Sequence, residues 1–209
     1  MARRTQEQAQ ATRQGILDAA VHVFLERGFQ RSSMQHVADR AGVTRGAVYW
    51  HFRDQADVLD ALLDQTPLPW QVLTPLPEPL AADAPAAWRR DALTQMAVAP
   101  LHWLEGSEPA QRVLRIVAPL DALGCSTRLG VRLAGVRHAG LQRLQIALRQ
   151  AAASHPPGLH AADVPVAALG VFAVVDGLMH QWLKQPSAFG LTAVGTLAVQ
   201  SLLAGLLEL

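Results

Sequence analysis

In the stretch TRGAVYWHFR, the residues Thr44, Arg45, Tyr49 and His51 combine side chains suited to meeting a nucleic acid. An arginine presents two donors in a fixed fork that matches the O6 and N7 acceptors of guanine. A phenol and an imidazole farther along, at Tyr49 and His51, can donate to phosphate oxygens and so fix a docking angle. Gly46 and Ala47 are small, which lets the backbone that carries them come close to a groove. Ser33 and Arg53, at the margins of the stretch, complete the candidate DNA-contacting set.

Those side chains need a helix held at the right angle, and the flanking sequence supplies one. Residues 33–52, SMQHVADRAGVTRGAVYWHF, read as two short helices joined by a tight turn. Ser33 can cap the first, whose Met34, Val37, Ala38 and Ala41 keep helical spacing. Gly42 can take the positive φ that ends this helix, and Thr44 can cap a second running through Ala47, Val48 and His51. Helix, glycine-containing turn, helix is the helix-turn-helix pattern, whose second helix enters the major groove and reads bases from its first turn. The same pattern also fits an ordinary αα-hairpin with solvated polar residues.

Resemblance carries the reading further. GVTRGAVYWHFRDQADVL, preceded by LERGFQRSSMQHVADRA and ARRTQEQAQATRQGILDAAVHVF, resembles the N-terminal domain of the TetR family of transcriptional repressors. In particular it is similar to the AcrR-like branch that controls multidrug efflux pumps. The likeness runs from Met1 to about Leu63. It implies that the residues at Thr44, Arg45, Tyr49 and His51 lie against DNA and that Phe52 is buried. It also implies a homodimer that binds double-stranded operator DNA and is released by a small hydrophobic ligand.

Composition agrees with a folded helical chain. Two hundred and nine residues suffice for one large or two small domains. Half are hydrophobic and only 17% are charged, which argues against extended disorder. Period-2 runs of β-branched residues are missing while helical spacing recurs, so the expected class is all-α, with about nine helices. The net charge of +1 hides a split. Residues 1–53 hold eight arginines against four carboxylates, a net +4, and the remainder nets −3. The basic excess lies with the helix-turn-helix, where phosphates would be neutralised. The expected division is a DNA-binding domain over residues 1–53 and a ligand-binding and dimerisation domain over 54–209.

Residues 1–5 read as a mobile basic arm, followed by a helix from about Gln6 to Arg27 that Gly28 stops. Asp54 can cap a fourth helix, on which Asp57, Asp60 and Asp64 face away as a solvated surface. Residues 67–83 are dense in proline and read as an extended linker, with Trp70 either a packing anchor or part of a pocket mouth. Helices are expected at about 84–104, 108–123 and 126–153, with Pro100 and Pro119 implying kinks or early ends. Arg132, Arg137, Arg143 and Arg149 on the third read as a solvated face. The lone Cys125 cannot form an internal disulfide and reads as a structural thiol. The N-terminus lacks the apolar run of a signal peptide, so a cytoplasmic location is expected.

An all-α body with mid-helix prolines and tryptophans suits a hydrophobic cavity, with Leu63, Met96, His102, Trp103, Val117, Phe172 and Asp176 as candidate lining. A carboxylate in the apolar stretch around Asp176 needs a partner, and His180 at i+4 can supply one. A structural bridge is the simplest role for this pair. Recognition of a cationic ligand and a rim feature at an interface stay open. Residues 117–124, VAPLDALG, depart from the pattern of the AcrR-like branch, so the ligand of that branch is not carried over.

The last two helical stretches, from Val164 and from Phe189, are apolar nearly all round. Such helices either cross a membrane or are buried between a subunit and its partner. Polar residues within the run, frequent glycine and few basic flanks favour the second. DGLMHQWLKQPSAFGL resembles AcrR-like repressors, in which these helices form a four-helix bundle across a two-fold axis. The implied interface takes in Leu169, Val174, Leu178, Trp182, Val194, Leu197, Ser201 and Leu202, with Ala193, Gly195, Ala198, Ala204 and Gly205 allowing close approach. No nucleophile–base pair, phosphate loop, metal-ligand spacing or cofactor motif is seen, so neither metal nor cofactor is expected. A membrane-tethered regulator and an α-helical enzyme remain as the alternative functions.

Overall fold

The structure is a computed structural model that describes residues 2–74, 76, 85–120, 127–153 and 159–207. Among these, regular structure consists of nine α-helices and short 3-10 turns, with no strand. The chain divides into two compact units. One comprises residues 1–67 and 112–131, the other residues 68–111 and 132–209. The unit that holds the helix-turn-helix therefore takes in more than residues 1–53: the fourth helix and a later segment pack with it.

In the first unit, α1 (Ala2–Arg27) buries Ile16, Leu17, Ala20, Val23 and Phe24. The expected mobile arm is absent as such, since the backbone is helical from Ala2. Gly28 ends α1 at φ 79°, a conformation that would strain a residue with a Cβ. A 3-10 turn (Phe29–Arg31) follows and sets Phe29 edge-on to Phe24, ring centres 5.3 Å apart. The buried Ser32 hydroxyl donates to the Gly28 carbonyl at 2.7 Å and pins this turn.

Next come α2 (Met34–Ala41), α3 (Arg45–His51) and α4 (Gln55–Gln65). Asp54 caps α4 by accepting from the Asp57 N–H at 2.7 Å. Asp57 and Asp60 are not simply solvated. Asp57 accepts from the backbone and guanidinium of Arg53 at 3.0 and 3.1 Å. Arg128 bridges to Asp57 at 3.5 Å and to Asp60. These contacts hold the Asp57 carboxyl at a pKa of about 2, below the ordinary 3.8, chiefly through the Arg53 side chain.

The chain passes between the units within α6 (Glu108–Val117) and α7 (Arg128–Ala153). α6 ends at Val117, two residues before Pro119, whose ring nitrogen has no N–H to continue an α-helical ladder. Residues 118–120 turn as a 3-10 segment instead. Pro100, by contrast, is carried inside α5 (Ala86–Gly106) without ending it. Cys125 lies outside the described residues.

The second unit packs α5 against α8 (Val164–Lys184) and α9 (Leu191–Leu207). Glu105 of α5 accepts the backbone N–H groups of Leu191 and Thr192 at 2.7 and 3.1 Å, capping α9 from another helix. Gly195 faces α5 in the same chain: a Cβ there would meet Leu101 Cδ1 at 2.0 Å. Its small size serves this internal approach, not the partner contact expected of it. Of the presumed linker, Pro69–Gln71 form a 3-10 turn that buries Trp70, 4% exposed. Trp70 stacks on Phe172, centroids 4.0 Å apart, over Gly140, where a Cβ would lie 3.0 Å from the tryptophan. Trp70 is thus a packing anchor.

By length and composition α8 could cross a membrane, but the core helix of a soluble protein passes the same test. Here its buried residues, from Val164 to Leu183, are packed within the unit.

Candidate nucleic-acid interface

Three local devices orient α3. The Ser33 hydroxyl accepts from the His36 N–H at 3.2 Å and starts α2. Gly42 adopts φ 67°, with its N–H on the Asp39 carbonyl and that of Val43 on Ala38. The Thr44 hydroxyl then accepts from the Ala47 N–H at 3.1 Å and starts α3. Val48 and Phe52 are buried and seat α3 on the core, together with Val37 and Ala38. Arg13 covers the Phe52 ring at 4.9 Å.

While Val48 faces inward, the i, i+4 pairs Arg45–Tyr49 and Gly46–Trp50 lie side by side on the outer side of α3. All four are exposed, as are Thr44 and Arg53. Arg45 lies along Tyr49: its guanidinium is 5.3 Å from the ring centre, and Nη2 donates to the phenol oxygen at 3.4 Å. The fork is therefore partly ordered before any partner arrives. Ala47 and His51 sit half-buried on the flank. Burial first, and the Arg13 charge second, push the His51 pKa down, so near neutral pH the imidazole is a neutral hydrogen-bonding group. Ser33 spends its acceptor on the cap and keeps its O–H, whereas Arg53 is engaged by Asp57.

Trp50 was missing from the sequence-derived set. It is 74% exposed, the largest exposure among the large apolar side chains of the described residues, and lies edge-on to His51 at 4.5 Å. Its i+4 spacing from Gly46 could have revealed this, but an indole is by habit assigned to a core. Gly46 carries a second message. A Cβ there would meet nothing closer than the Thr44 hydroxyl at 3.9 Å, so the fold itself does not require a glycine.

The candidate ligand residues are divided between the two units. Leu63 and Val117 are buried in the first unit. His102 is exposed on α5, Met96 is buried and Trp103 is half-buried in the second unit. Phe172 and Asp176 do come together, through partners that lie far off in sequence. Arg137 grips Asp176 with two bonds of 2.7 and 3.0 Å and covers the Phe172 ring at 5.2 Å. The Trp70 indole N–H donates to the same carboxylate at 3.1 Å. Arg137 is thus no solvated residue, and Asp176 takes its charge compensation from Arg137 more than from His180. The His180 Nδ1 lies 2.8 Å from the Asp176 carbonyl oxygen and 3.5 Å from the carboxylate. Among the described residues, the buried indole N–H groups of Trp103 and Trp182 and the Thr192 hydroxyl have no hydrogen-bond partner. No cluster of three metal-ligating side chains occurs among the described residues.

On α8 and α9, Leu169, Val194, Leu197 and Ser201 are exposed, and Val174, Leu178 and Leu202 half-buried. Trp182 departs from the expected interface: it points into its own subunit and is buried.

Known proteins share this arrangement. Residues 16–62 match the profile of bacterial regulatory proteins of the tetR family. The transcriptional regulator TtgR of Pseudomonas putida is 52% identical over 64 residues, 31% of this chain and only 30% of TtgR. BepR, a transcriptional repressor of Brucella suis biovar 1, is 30% identical over 205 residues, 98% of this chain and 96% of BepR. The structure of SmeT of Stenotrophomonas maltophilia in complex with triclosan superposes with a TM-score of 0.69 at 32% identity, covering 94% of this chain and 92% of that one. Likeness over nearly the whole length of BepR and SmeT, on top of a cap-turn-cap geometry that turns Arg45 outward, makes this chain a member of the TetR family of bacterial regulatory proteins.

Proposed function

We propose that the chain is a homodimeric, ligand-responsive repressor that binds a pseudo-palindromic operator through α3 and governs an efflux pump from the cytoplasm. The observation that carries the DNA reading is the outward ridge of Arg45, Gly46, Tyr49 and Trp50. It combines a pre-ordered guanidinium with a glycine for which the fold has no use. Thr44 and Arg45 would read base edges. Tyr49, Trp50, His51, Ser33 and Arg53 would hold the phosphates, and Ala47 the close approach.

The exposed apolar ridge on α8 and α9 would pair with the same ridge of a second copy. SmeT is described as the repressor of a multidrug efflux pump, and this description supports an equivalent target here. For the inducer, the body offers buried donors in place of a free carboxylate. Trp103, Trp182 and Thr192 would hydrogen-bond a hydrophobic molecule that carries acceptors. A cation would have to displace Arg137 from Asp176. Ligand and DNA would then weaken each other reciprocally.

The test is binding of the purified, detergent-free protein to DNA from upstream of its own coding region, titrated with hydrophobic acceptor-bearing and cationic compounds. Salt-sensitive binding released by the acceptor-bearing set is expected. Release by cations alone would overturn the ligand reading, and sequence-independent binding would overturn the repressor reading.

A further inference from the structure

The first unit contains an open crevice of about 600 Å³, distinct from every residue assigned above to DNA or inducer. One wall is the end of α1 and the 3-10 turn, and the other is the end of α6 with residues 119 and 120. Its floor is apolar, with the Phe24 and Phe29 rings on one side and Ile116 on the other. Its charged groups are mostly of one sign. Among the described residues that line it, Arg27, Arg31 and Arg115 stand beside one carboxylate, that of Glu26, which is bonded to Arg40 at 3.2 Å. The Arg31 Nε donates to the Arg27 carbonyl at 3.1 Å. Among the described residues no acidic side chain pairs with Arg27 or Arg115.

An apolar floor beneath two guanidiniums that no described carboxylate pairs, in a volume typical of small-molecule sites, has one matching occupant class. We propose that this crevice binds an anionic amphiphile, a small molecule with an apolar body and a carboxylate, sulfate or phosphate head. The apolar body lies on Phe24, Phe29 and Ile116, and the head is held by Arg27 and Arg115. The occupant abuts the turn that leads, through Ser32 and Ser33, into α2. The charge preference is opposite to that of a site built around a free carboxylate.

The chain has three isoleucines, which makes the site directly observable. Ile116 lines the crevice, Ile16 is fully buried in the core of α1, and Ile146 is exposed on α7. The experiment titrates methyl-labelled full-length protein, without DNA, with decanoate and separately with decyltrimethylammonium, each below its micelle concentration. Decanoate is expected to shift the Ile116 methyl saturably, and the cation to bind there at least about tenfold more weakly. The variant carrying Arg27→Gln and Arg115→Gln, both at exposed positions, should keep the wild-type Ile16 methyl signal and lose at least about tenfold in decanoate affinity. An unmoved Ile116 methyl, equal response to the cation, or undiminished affinity in the folded variant would each overturn the proposal. Because no DNA is present, these outcomes are independent of whether the protein represses transcription.

Discussion

Gly46 separates the demands of folding from those of binding. With open space where its Cβ would go, Gly46→Ala should stabilise α3 by about 0.5–1 kcal/mol, the usual cost of a helical glycine. The same methyl group would stand between the helix and a groove, so DNA affinity should fall while the melting temperature rises. Paired melting and binding curves on one sample check this opposition. Asp57 gives a second residue-level test. Its pKa lies below the unfolded value, so its contribution is complete above about 4 and is lost as pH falls toward about 2. Asp57→Asn should therefore flatten the acid limb of stability in that window, as measured by denaturation at successive pH values. What could be read from sequence at this scale follows a physical line. The caps at Ser33, Thr44 and Asp54 and the stops at Gly28 and Gly42 depend on neighbours within four residues, and all are present. Asp176 depends on Arg137 and Trp70, brought to it by the fold, and only the local His180 was visible from spacing.

At the scale of elements, the helices were legible from periodicity and their ends from proline and glycine, with two instructive exceptions. Pro100 lies within α5 because loss of one N–H and one displaced carbonyl is tolerated once the surrounding face is packed. The cap position of α9 is Gly190, which has no side-chain oxygen to accept from the first N–H groups. Glu105 supplies it from α5, with two charge-assisted bonds to the first N–H groups. Glu105→Ala should cost about 1–3 kcal/mol, read by urea denaturation, because two charge-assisted bonds are lost. A cost indistinguishable from zero would mean that solvent caps α9 equally well. The short approach at Gly195 belongs to this junction as well. It explains why a glycine that looked like an interface residue is spent inside the subunit.

Across the whole molecule, symmetry would couple DNA binding to dimerisation. One α3 would read one half-site, and the pairing of the α8–α9 ridges would set two such helices on one operator. Leu169 is 54% and Leu197 67% exposed on this ridge, so an isolated chain leaves a substantial apolar face in water. Leu197→Glu, at a position that contributes little to the subunit core, should leave a folded monomer by sedimentation and reduce operator binding sharply. A variant that stays dimeric would place the interface elsewhere.

The central claim is that α3 reads base sequence through Arg45, and selection from a random duplex library tests it most directly. Wild-type protein should enrich an inverted repeat. Arg45→Ala should enrich the same repeat with one base pair per half-site relaxed and an affinity lower by about 1–3 kcal/mol per contact. An Arg45→Ala protein that selects the wild-type repeat at undiminished affinity would contradict the account.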